Sequence, residues 1–300
     1  MAAGRPNWRV TMRVSKTFVR SAAALVVLAL AVTACGKSGT SSGGTPSAHS
    51  GKMLPNLPSF TTVKKGELMV GSCLDYSPFE FTDPNTGKLT GFDIEMIDAI
   101  AARIGLKVTW VKANFNTIFT ALAANKFDAV AAASTITPQR EQVVNFTDPY
   151  FDSDQSLTVN TNKTPSIKTT NDLKKGDVVG VQKGTTGHDW AVAHLQPKGV
   201  VIKSYVNAPD AFTDLESGAI AGVINDQGSS LSEASKRPGE KVVQLIVTTE
   251  HYGFAVSKSN PKLLSAMNLA LKAVISDGTY ATIFKKWFPK NPVPPAYSAK

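Results

Sequence analysis

Residues 127–140 read Phe-Asp-Ala-Val-Ala-Ala-Ala-Ser-Thr-Ile-Thr-Pro-Gln-Arg, a short apolar run that ends in hydroxyls and leads directly into a helix start. Thr137 is a favourable N-cap, and Pro138 suits the first helical position. Arg140 then falls in the first turn, so backbone N–H groups and a guanidinium converge where a strand ends. A guanidinium can grip a carboxylate with two hydrogen bonds and stays charged. The pattern predicts an anion-binding site. The alternative is an ordinary capped helix at the surface, with Arg140 exposed to water.

From residue 67 onward, the chain alternates short β-branched runs with amphipathic stretches. This alternation predicts an α/β fold with βαβ units and a largely parallel sheet. Strands are predicted at residues 68–71, 107–110, 128–132, 178–181, 200–205, 222–224, 242–247 and 252–256. Helices are predicted at residues 93–104, 116–124, 188–195, 209–216, 227–235, 261–277 and 279–288, with Gly278 between the last two as a C′ residue. Ligands bind beyond the carboxyl ends of strands in such sheets, and Thr135 and Asp226 lie there.

The amino terminus has the pattern of a secretion signal. Residues 1–34 carry five cations and no acid, and their apolar run at 22–32 is shorter than the roughly 20 residues that a membrane-spanning helix needs. The run ends in Val32-Thr-Ala-Cys35 and resembles a bacterial lipobox, whose cysteine is lipid-modified, for example with palmitate, after cleavage. Ordinary cleavage after Ala34 is the alternative. We predict a signal peptide over residues 1–34, then a lipidated Cys35 and a flexible Ser/Gly/Pro linker over residues 35–58.

Charge and composition exclude several classes of function. Of the net charge of +9, the signal region holds +5, which leaves the body near neutral and gives no footprint for nucleic acid. Cys73 is the only cysteine of the body, so no disulfide is expected within it. The four histidines have no metal-ligand spacing, and we expect neither a metal nor another cofactor.

Several stretches, taken in order, resemble the polar amino-acid family (family 3) of bacterial extracellular solute-binding proteins, the receptors of ABC importers. They are residues 76–81 (Tyr-Ser-Pro-Phe-Glu-Phe), 91–101 (Gly-Phe-Asp-Ile-Glu-Met-Ile-Asp-Ala-Ile-Ala), 115–122 (Phe-Asn-Thr-Ile-Phe-Thr-Ala-Leu), 127–140, 144–150 (Val-Asn-Phe-Thr-Asp-Pro-Tyr), 181–187 (Val-Gln-Lys-Gly-Thr-Thr-Gly), 224–226 (Ile-Asn-Asp), 252–256 (Tyr-Gly-Phe-Ala-Val) and 277–288 (Asp-Gly-Thr-Tyr-Ala-Thr-Ile-Phe-Lys-Lys-Trp-Phe).

The resemblance implies a two-lobed periplasmic-binding-protein fold, a type II clamshell in which the chain crosses between lobes twice. The crossings are expected near residues 152–156 and 248–251. Lobe 1 would be residues 66–153 plus 251–289, lobe 2 residues 154–250, and residues 290–300 a tail. The implied partners are an amino acid, the transmembrane subunits of an ABC permease and, through the lipid anchor, the membrane. The protein would be a monomer on the extracellular face of the cytoplasmic membrane.

An amino-acid ligand needs one cation for its carboxylate and one anion for its ammonium. By the resemblance, Arg140 takes the carboxylate, Thr135 donates from its hydroxyl or backbone N–H, and the Ala133 carbonyl accepts the ammonium. Asp226, at the end of a strand, would pair with the ammonium from lobe 2. The alternative for Asp226 is an Asx turn or a cap on the helix that follows.

Further contacts are expected from both lobes. Thr185 and Thr186 would form a second N-terminal nest for the carboxylate, unless this is a plain glycine-containing turn. Tyr76 and Phe115 match the aromatic pair that sandwiches the ligand side chain, with core packing as the alternative. Gln182 matches a side-chain contact position, and exposure to water is equally ordinary for it.

The chain departs from the family pattern at Cys73, where many relatives that bind cationic or amide side chains carry an acid. The missing carboxylate argues against arginine, lysine or histidine as the ligand, because the ligand charge would lose its partner. Asp75 would point to the same side in an extended segment and could substitute. Cys73 itself is expected to be a small buried hydrophobe.

The leading functional prediction is therefore a lipid-anchored amino-acid receptor without enzymatic activity. A secreted cyclohexadienyl dehydratase-like enzyme is the first alternative, since this fold also resembles such enzymes, although its candidate acids and bases form no recognisable pair. The second alternative is a ligand-sensing subunit of a membrane receptor. It would need a separate membrane partner, since no membrane-spanning pattern follows the body.

Overall fold

The structure, a computed structural model, describes residues 51–297. The predicted signal peptide and Cys35 lie outside the described residues. The strands are β1 (Glu67–Ser72), β2 (Asp75–Tyr76), β3 (Glu80–Thr82), β4 (Leu89–Thr90), β5 (Lys107–Lys112), β6 (Ala129–Val130), β7 (Val144–Phe146), β8 (Phe151–Asn160), β9 (Val178–Gln182), β10 (Val201–Tyr205), β11 (Gly222–Asp226), β12 (Glu240–Tyr252) and β13 (Ala255–Ser257). The helices are α1 (Phe92–Arg103), α2 (Phe115–Ala123), α3 (Pro138–Glu141), α4 (Thr186–His194), α5 (Ala208–Ser217), α6 (Gln227–Ala234), α7 (Pro261–Ser276) and α8 (Thr279–Trp287).

Two five-stranded sheets organise these elements. The first has the order β5-β1-β6-β13-β7 and the second β10-β9-β11-β8-β12, while β2, β3 and β4 form a small third sheet. We call the half built on the first sheet lobe 1, which includes the small sheet and helices α1, α2, α3, α7 and α8. The half built on the second sheet, with α4, α5 and α6, is lobe 2. Each lobe has its own buried apolar clusters, as expected for two separately packed cores.

Neither large sheet is as parallel as predicted. β1 pairs in parallel with β5 and β6, and β9 with β10 and β11, as βαβ units require. β13 runs antiparallel to β6 and β7, and β8 runs antiparallel to β11 and β12. The prediction of a largely parallel sheet is wrong for these strands because direct connections, not helical crossovers, lead into β8 and β13.

Strands β8 and β12 connect the two cores. At one end, Phe151 of β8 and Tyr252 of β12 belong to the lobe 1 core, and further along β8 Leu157 lies in the lobe 2 core. The two strands pair over this length, with a register shift between Ile246 and Glu250. The strand predicted at residues 242–247 is therefore longer, and Tyr252 ends it instead of starting the next one. Both predicted crossing regions fall within this pair of strands.

Helix boundaries follow local chemistry. Gly91 precedes α1 with φ 138°, and a Cβ there would lie 2.0 Å from the Phe79 carbonyl oxygen, so only glycine fits. Asn260 caps α7 by accepting a hydrogen bond from the Leu263 N–H at 3.2 Å. Gly278 follows the C-cap of α7 with φ 80°, as a C′ glycine does, and α8 starts immediately after it.

The segment before β1 is attached to lobe 1. The Leu54 N–H donates to the Arg103 carbonyl at 2.8 Å, and Leu54, Leu57 and Phe60 pack against the lobe 1 core. The prediction of a flexible linker as far as residue 58 is wrong for residues 51–58, because these apolar side chains give the segment surface to bury. Near the other terminus, Tyr297 is buried and its hydroxyl donates to Asp152 at 2.8 Å. Within residues 51–297, no helix combines the length and the apolar character needed to cross a bilayer.

Candidate functional site

The junction between β6 and α3 has the predicted cap. Thr137 accepts a hydrogen bond from the Arg140 backbone N–H at 3.2 Å, and Pro138 occupies the first helical position. The helix is a single turn of four residues, so its backbone dipole is weak. The guanidinium of Arg140, more than the helix terminus, therefore supplies the positive charge of this junction.

Arg140 is held between two aromatic rings and two carbonyl groups. Its guanidinium carbon lies 5.0 Å from the ring centroids of both Phe115 and Phe119. Nη1 donates to the Thr135 carbonyl at 2.7 Å, and Nη2 donates across the cleft to the Gly184 carbonyl at 3.2 Å. Burial lowers the pKa of Arg140, although a guanidinium remains protonated at neutral pH. The alternative of an arginine lying in water is wrong.

Ala133 adopts a strained backbone conformation beside this junction. Its φ of 43° lies in the left-handed region, which costs a residue with a Cβ about 1–2 kcal/mol. Asp93 holds the conformation by accepting a hydrogen bond from the Ala133 N–H at 2.9 Å, and the Tyr150 hydroxyl donates to the same carboxylate. Burial raises the pKa of Asp93 to about 6. Strain that surrounding bonds maintain is typical of functional loops.

Lobe 2 presents the start of α4 to the cleft. Thr185 is its N-cap and accepts a hydrogen bond from the His188 N–H at 3.1 Å, and Thr186 is the first helical residue. A Cβ at Gly187 would lie 2.6 Å from Oε1 of Gln155, so a side chain there would displace that amide. The turn is therefore a helix N-terminus, where the first backbone N–H groups have no partner within the helix.

Asp226 stands at the N-terminal end of α6, but its side chain makes no capping bond. Its carboxylate instead accepts hydrogen bonds from the Tyr76 hydroxyl at 2.8 Å and the Tyr252 hydroxyl at 2.6 Å, and from the Gln155 amide. Burial raises the pKa of Asp226 to about 6, and the nearby Glu250 carboxylate adds to the rise. The alternative of a helix-capping Asp226 is wrong, because tyrosines of lobe 1 orient its carboxylate towards the cleft.

One cavity between the lobes brings the predicted contact residues together. It is lined by Cys73, Tyr76, Glu80, Phe115, Ala132, Ala133, Thr135, Arg140, Gln182, Thr185, Thr186 and Asp226. Tyr76 and Phe115 are buried and also belong to core clusters, so packing and cavity lining coexist in them. Gln182 is 5 % exposed, and its Nε2 donates to the Val206 carbonyl at 3.2 Å, which excludes the water-exposed alternative.

Asp75 does not line this cavity. The prediction placed it on the same side as Cys73, which assumed an extended backbone between them. Leu74 has φ 61°, a left-handed turn that ends the alternation of side chains. Cys73 does line the cavity and is a buried free thiol, as expected, and burial raises its pKa well above the usual value.

Glu80 is the acid that sequence reasoning missed. It is fully buried, lines the cavity, and neither carboxylate oxygen has a hydrogen-bond partner among the described residues. Burial first, and then the nearby carboxylates of Asp93 and Asp75, raise the pKa of Glu80 well above its usual range. An acid within the aromatic run at residues 76–81 was the available signal. A buried carboxyl group without a donor is suited to meet a cation.

Within residues 51–297, no group of His, Cys, Asp or Glu side chains is arranged to hold a metal ion.

Comparison with known proteins bears directly on this cleft. The sequence pattern of bacterial extracellular solute-binding proteins, family 3, matches residues 68–290. The chain belongs to this family. Among curated relatives of this solute-binding protein is a probable histidine-binding protein of Neisseria gonorrhoeae, which is 32 % identical over 277 residues, covering 90 % of this chain and 95 % of the relative.

Solved structures with the same architecture include an ancestral arginine-binding protein bound to arginine. It is 40 % identical with a TM-score of 0.71, and the match covers 75 % of this chain and 99 % of that one. Another is an ancestral amino acid-binding protein described as a precursor of cyclohexadienyl dehydratase, at 37 % identity and a TM-score of 0.70, covering 75 % and 96 % of the two chains. The predicted two-lobed type II clamshell fold of this solute-binding protein is confirmed.

Proposed function

We propose that the protein is an extracellular receptor that binds an amino acid and delivers it to an ABC importer. The observation that carries this proposal is the pairing of Arg140 and Asp226 on opposite walls of one cavity. The cation suits an α-carboxylate, and the anion suits an α-ammonium. Because these groups belong to different lobes, the ligand would contact both only when the lobes are closed. Ligand binding then stabilises the closed state, which is the state the permease would recognise.

The relatives support an amino acid as the ligand. The family comprises extracellular solute-binding proteins, and the relatives compared above bind histidine, arginine or, in one ancestral case, an unspecified amino acid. Ala133, Thr135, Thr185 and Thr186 would add backbone contacts around the two charged groups. Tyr76, Phe115 and Gln182 would surround the ligand side chain.

A cationic side chain is the form of ligand that fits best. The sequence argument against such ligands rested on the missing acid at Cys73. Glu80 lines the same cavity and offers two carboxylate oxygens without hydrogen-bond partners among the described residues. A guanidinium, imidazolium or ammonium group would satisfy them and offset the cost of burying the charge. We therefore propose L-arginine or L-histidine as the first ligands to test.

Substitution of Arg140 tests the carboxylate assignment. Arg140→Ala should weaken amino-acid binding by more than about 100-fold, because the ligand carboxylate loses its cationic partner. Arg140→Lys keeps the charge but not the two-pronged geometry, and should recover part of the affinity. Calorimetric titration measures both, with circular dichroism as a check on folding. Wild-type affinity in a folded Arg140→Ala variant would contradict the assignment.

The finer predictions on location and organisation are also part of this proposal. Lipid attachment at Cys35 would hold the protein at the extracellular face of the membrane, and Cys35→Ala should release it from the membrane fraction. Residues 66–153 plus 251–289 would move as one lobe and residues 154–250 as the other, in a monomer.

The dehydratase alternative has one observation in its favour, the similarity to an ancestral protein described as a precursor of cyclohexadienyl dehydratase. That protein is itself described as amino acid-binding. An assay with prephenate and arogenate separates the two functions, since our proposal predicts binding without turnover.

A further inference from the structure

Glu250 lies near the end of β12, where this strand crosses between the lobes. It pairs with Ser153 of β8, directly after the register shift in the strand pair. Thr249, immediately before it, has φ 54°, so the backbone is bent at this point. Glu250 is only 7 % exposed, and such a buried carboxylate needs several donors to remain charged.

Four side chains donate hydrogen bonds to Glu250, and three of them are distant from it in the sequence. Oε2 accepts from the Thr135 hydroxyl of lobe 1 at 2.5 Å and from the Thr186 hydroxyl of lobe 2 at 2.8 Å. Oε1 accepts from the Gln155 amide of β8 at 2.9 Å and from the Thr248 hydroxyl at 2.9 Å. A single carboxylate oxygen thus receives one hydroxyl from each lobe.

This arrangement commits the hydroxyls of two residues that were expected to contribute to ligand binding. A threonine hydroxyl has one hydrogen, and those of Thr135 and Thr186 are directed to Glu250. They cannot donate to a ligand carboxylate at the same time. Each of these two threonines therefore keeps only its backbone N–H as a donor for that carboxylate, beside the guanidinium of Arg140.

Glu250 itself does not line the ligand cavity. It lines a separate cavity beside the crossing strands, together with Ser153, Thr249 and His251. A direct contact with ligand is therefore not its role in this geometry.

We infer that Glu250 is a positioning residue that ties the two lobes together in the closed form by accepting the Thr135 and Thr186 hydroxyls. This inference rests on the proposed function. In a protein that binds ligand only when closed, weakening the closed form raises the apparent dissociation constant for every ligand by the same factor. Substitution of a residue that contacts the ligand side chain would instead change the ratio of the dissociation constants for different ligands.

The test compares wild type, Glu250→Gln, Thr186→Val and the double variant, each as the full chain after refolding to remove bound ligand. The probes are L-arginine and L-histidine in calorimetric titrations. We expect Glu250→Gln to weaken both by about 10-fold or more and by the same factor, since a glutamine places an N–H₂ group against the converging donors. Thr186→Val should weaken binding several-fold. The dissociation constant of the double variant should be within about twofold of that of Glu250→Gln, since both substitutions remove the same hydrogen bond. Glu216→Gln, the same substitution at an exposed position of lobe 2, is the control and should bind as wild type does.

Additive losses in the double variant would overturn the inference, because they would mean that the Thr186 hydroxyl acts on the ligand independently of Glu250. Unchanged affinity in Glu250→Gln, or a loss for one probe only, would overturn it as well. If Glu250→Gln does not fold, the single variants Thr135→Val and Thr186→Val and their double variant decide. Because loss of either hydroxyl breaks the link between the lobes, each single variant should lose as much affinity as the double variant. A wild type that binds neither probe would instead refute the cationic-ligand proposal, and the same comparison with L-glutamine as the probe would then decide the inference.

Discussion

Replacing Glu80 by glutamine should shift the ligand preference of the site from cationic towards neutral amino acids. The substitution keeps the size of the buried side chain and removes its ability to carry charge. Both carboxylate oxygens of Glu80 lack partners among the described residues, so a ligand cation would be their main donor. Hydrogen bonds between charged groups contribute about 1.5–3 kcal/mol each, which corresponds to an affinity loss of about 10- to 150-fold for L-arginine. L-Glutamine, which is similar in shape but neutral, should lose little or gain.

Proton release gives an independent reading of the same contact. Burial and the neighbouring carboxylates raise the pKa of Glu80 well above its usual range, so below that pKa the ligand-free protein holds a proton there. A bound cation favours the ionised carboxylate, and binding must expel the proton. The affinity for L-arginine should therefore rise with pH until the raised pKa of Glu80 is passed. Titrations in buffers of different ionisation enthalpy measure the released proton.

Glu216→Gln is the matched control for these titrations. If Glu80→Gln lost affinity for L-arginine and for L-glutamine by the same factor, the reasoning would be refuted, since this would indicate a general packing defect. Binding of L-arginine by wild type without any proton release, at a pH where the ligand-free carboxyl is protonated, would refute it as well.

Two further predictions concern stability. Because burial raises the pKa of both Asp93 and Asp226 from 3.8 to about 6, their charged forms are disfavoured in the folded state, and the free energy of unfolding of the ligand-free protein should fall as pH rises from 5 to 7. The expected change is about 1 kcal/mol or more for each group, measured by urea titration, and a rise over this window would contradict it. Deletion of residues 51–58 should lower the free energy of unfolding by about 1–3 kcal/mol, because half-buried Leu54 and Leu57 lose their contacts with lobe 1. An unchanged unfolding midpoint would mean that this segment does not dock in solution.

Local sequence chemistry predicted the parts of the site that depend on neighbours in the chain. The cap formed by Thr137 and Pro138 needs only the residues beside it, and it is present as expected. The break between α7 and α8 at Gly278 is of the same kind. Asp226 could be noted for its place at a strand end, but its partner across the cleft, Tyr76, could be proposed only through the resemblance to a family.

The remaining features depend on contacts between distant segments. Glu80 could not be singled out because its burial depends on side chains distant in the sequence. A sequence also does not show whether a glutamate will lack hydrogen-bond partners. Glu250 joins residues separated from it by more than 60 positions, and no pattern in a single sequence reveals such a convergence. The turn at Leu74 was missed because a leucine is rarely left-handed, and its conformation is imposed by the surrounding fold. The strand directions were wrong for the same reason. β8 and β13 run antiparallel to their neighbours because of the path the chain takes between the two sheets, which local sequence does not show.

The most direct test of the central claim is calorimetric titration of the refolded wild-type protein with each standard amino acid. We predict saturable binding of a single ligand per chain, tightest for L-arginine or L-histidine and abolished by Arg140→Ala. Absence of binding by any amino acid to a folded protein would contradict the account.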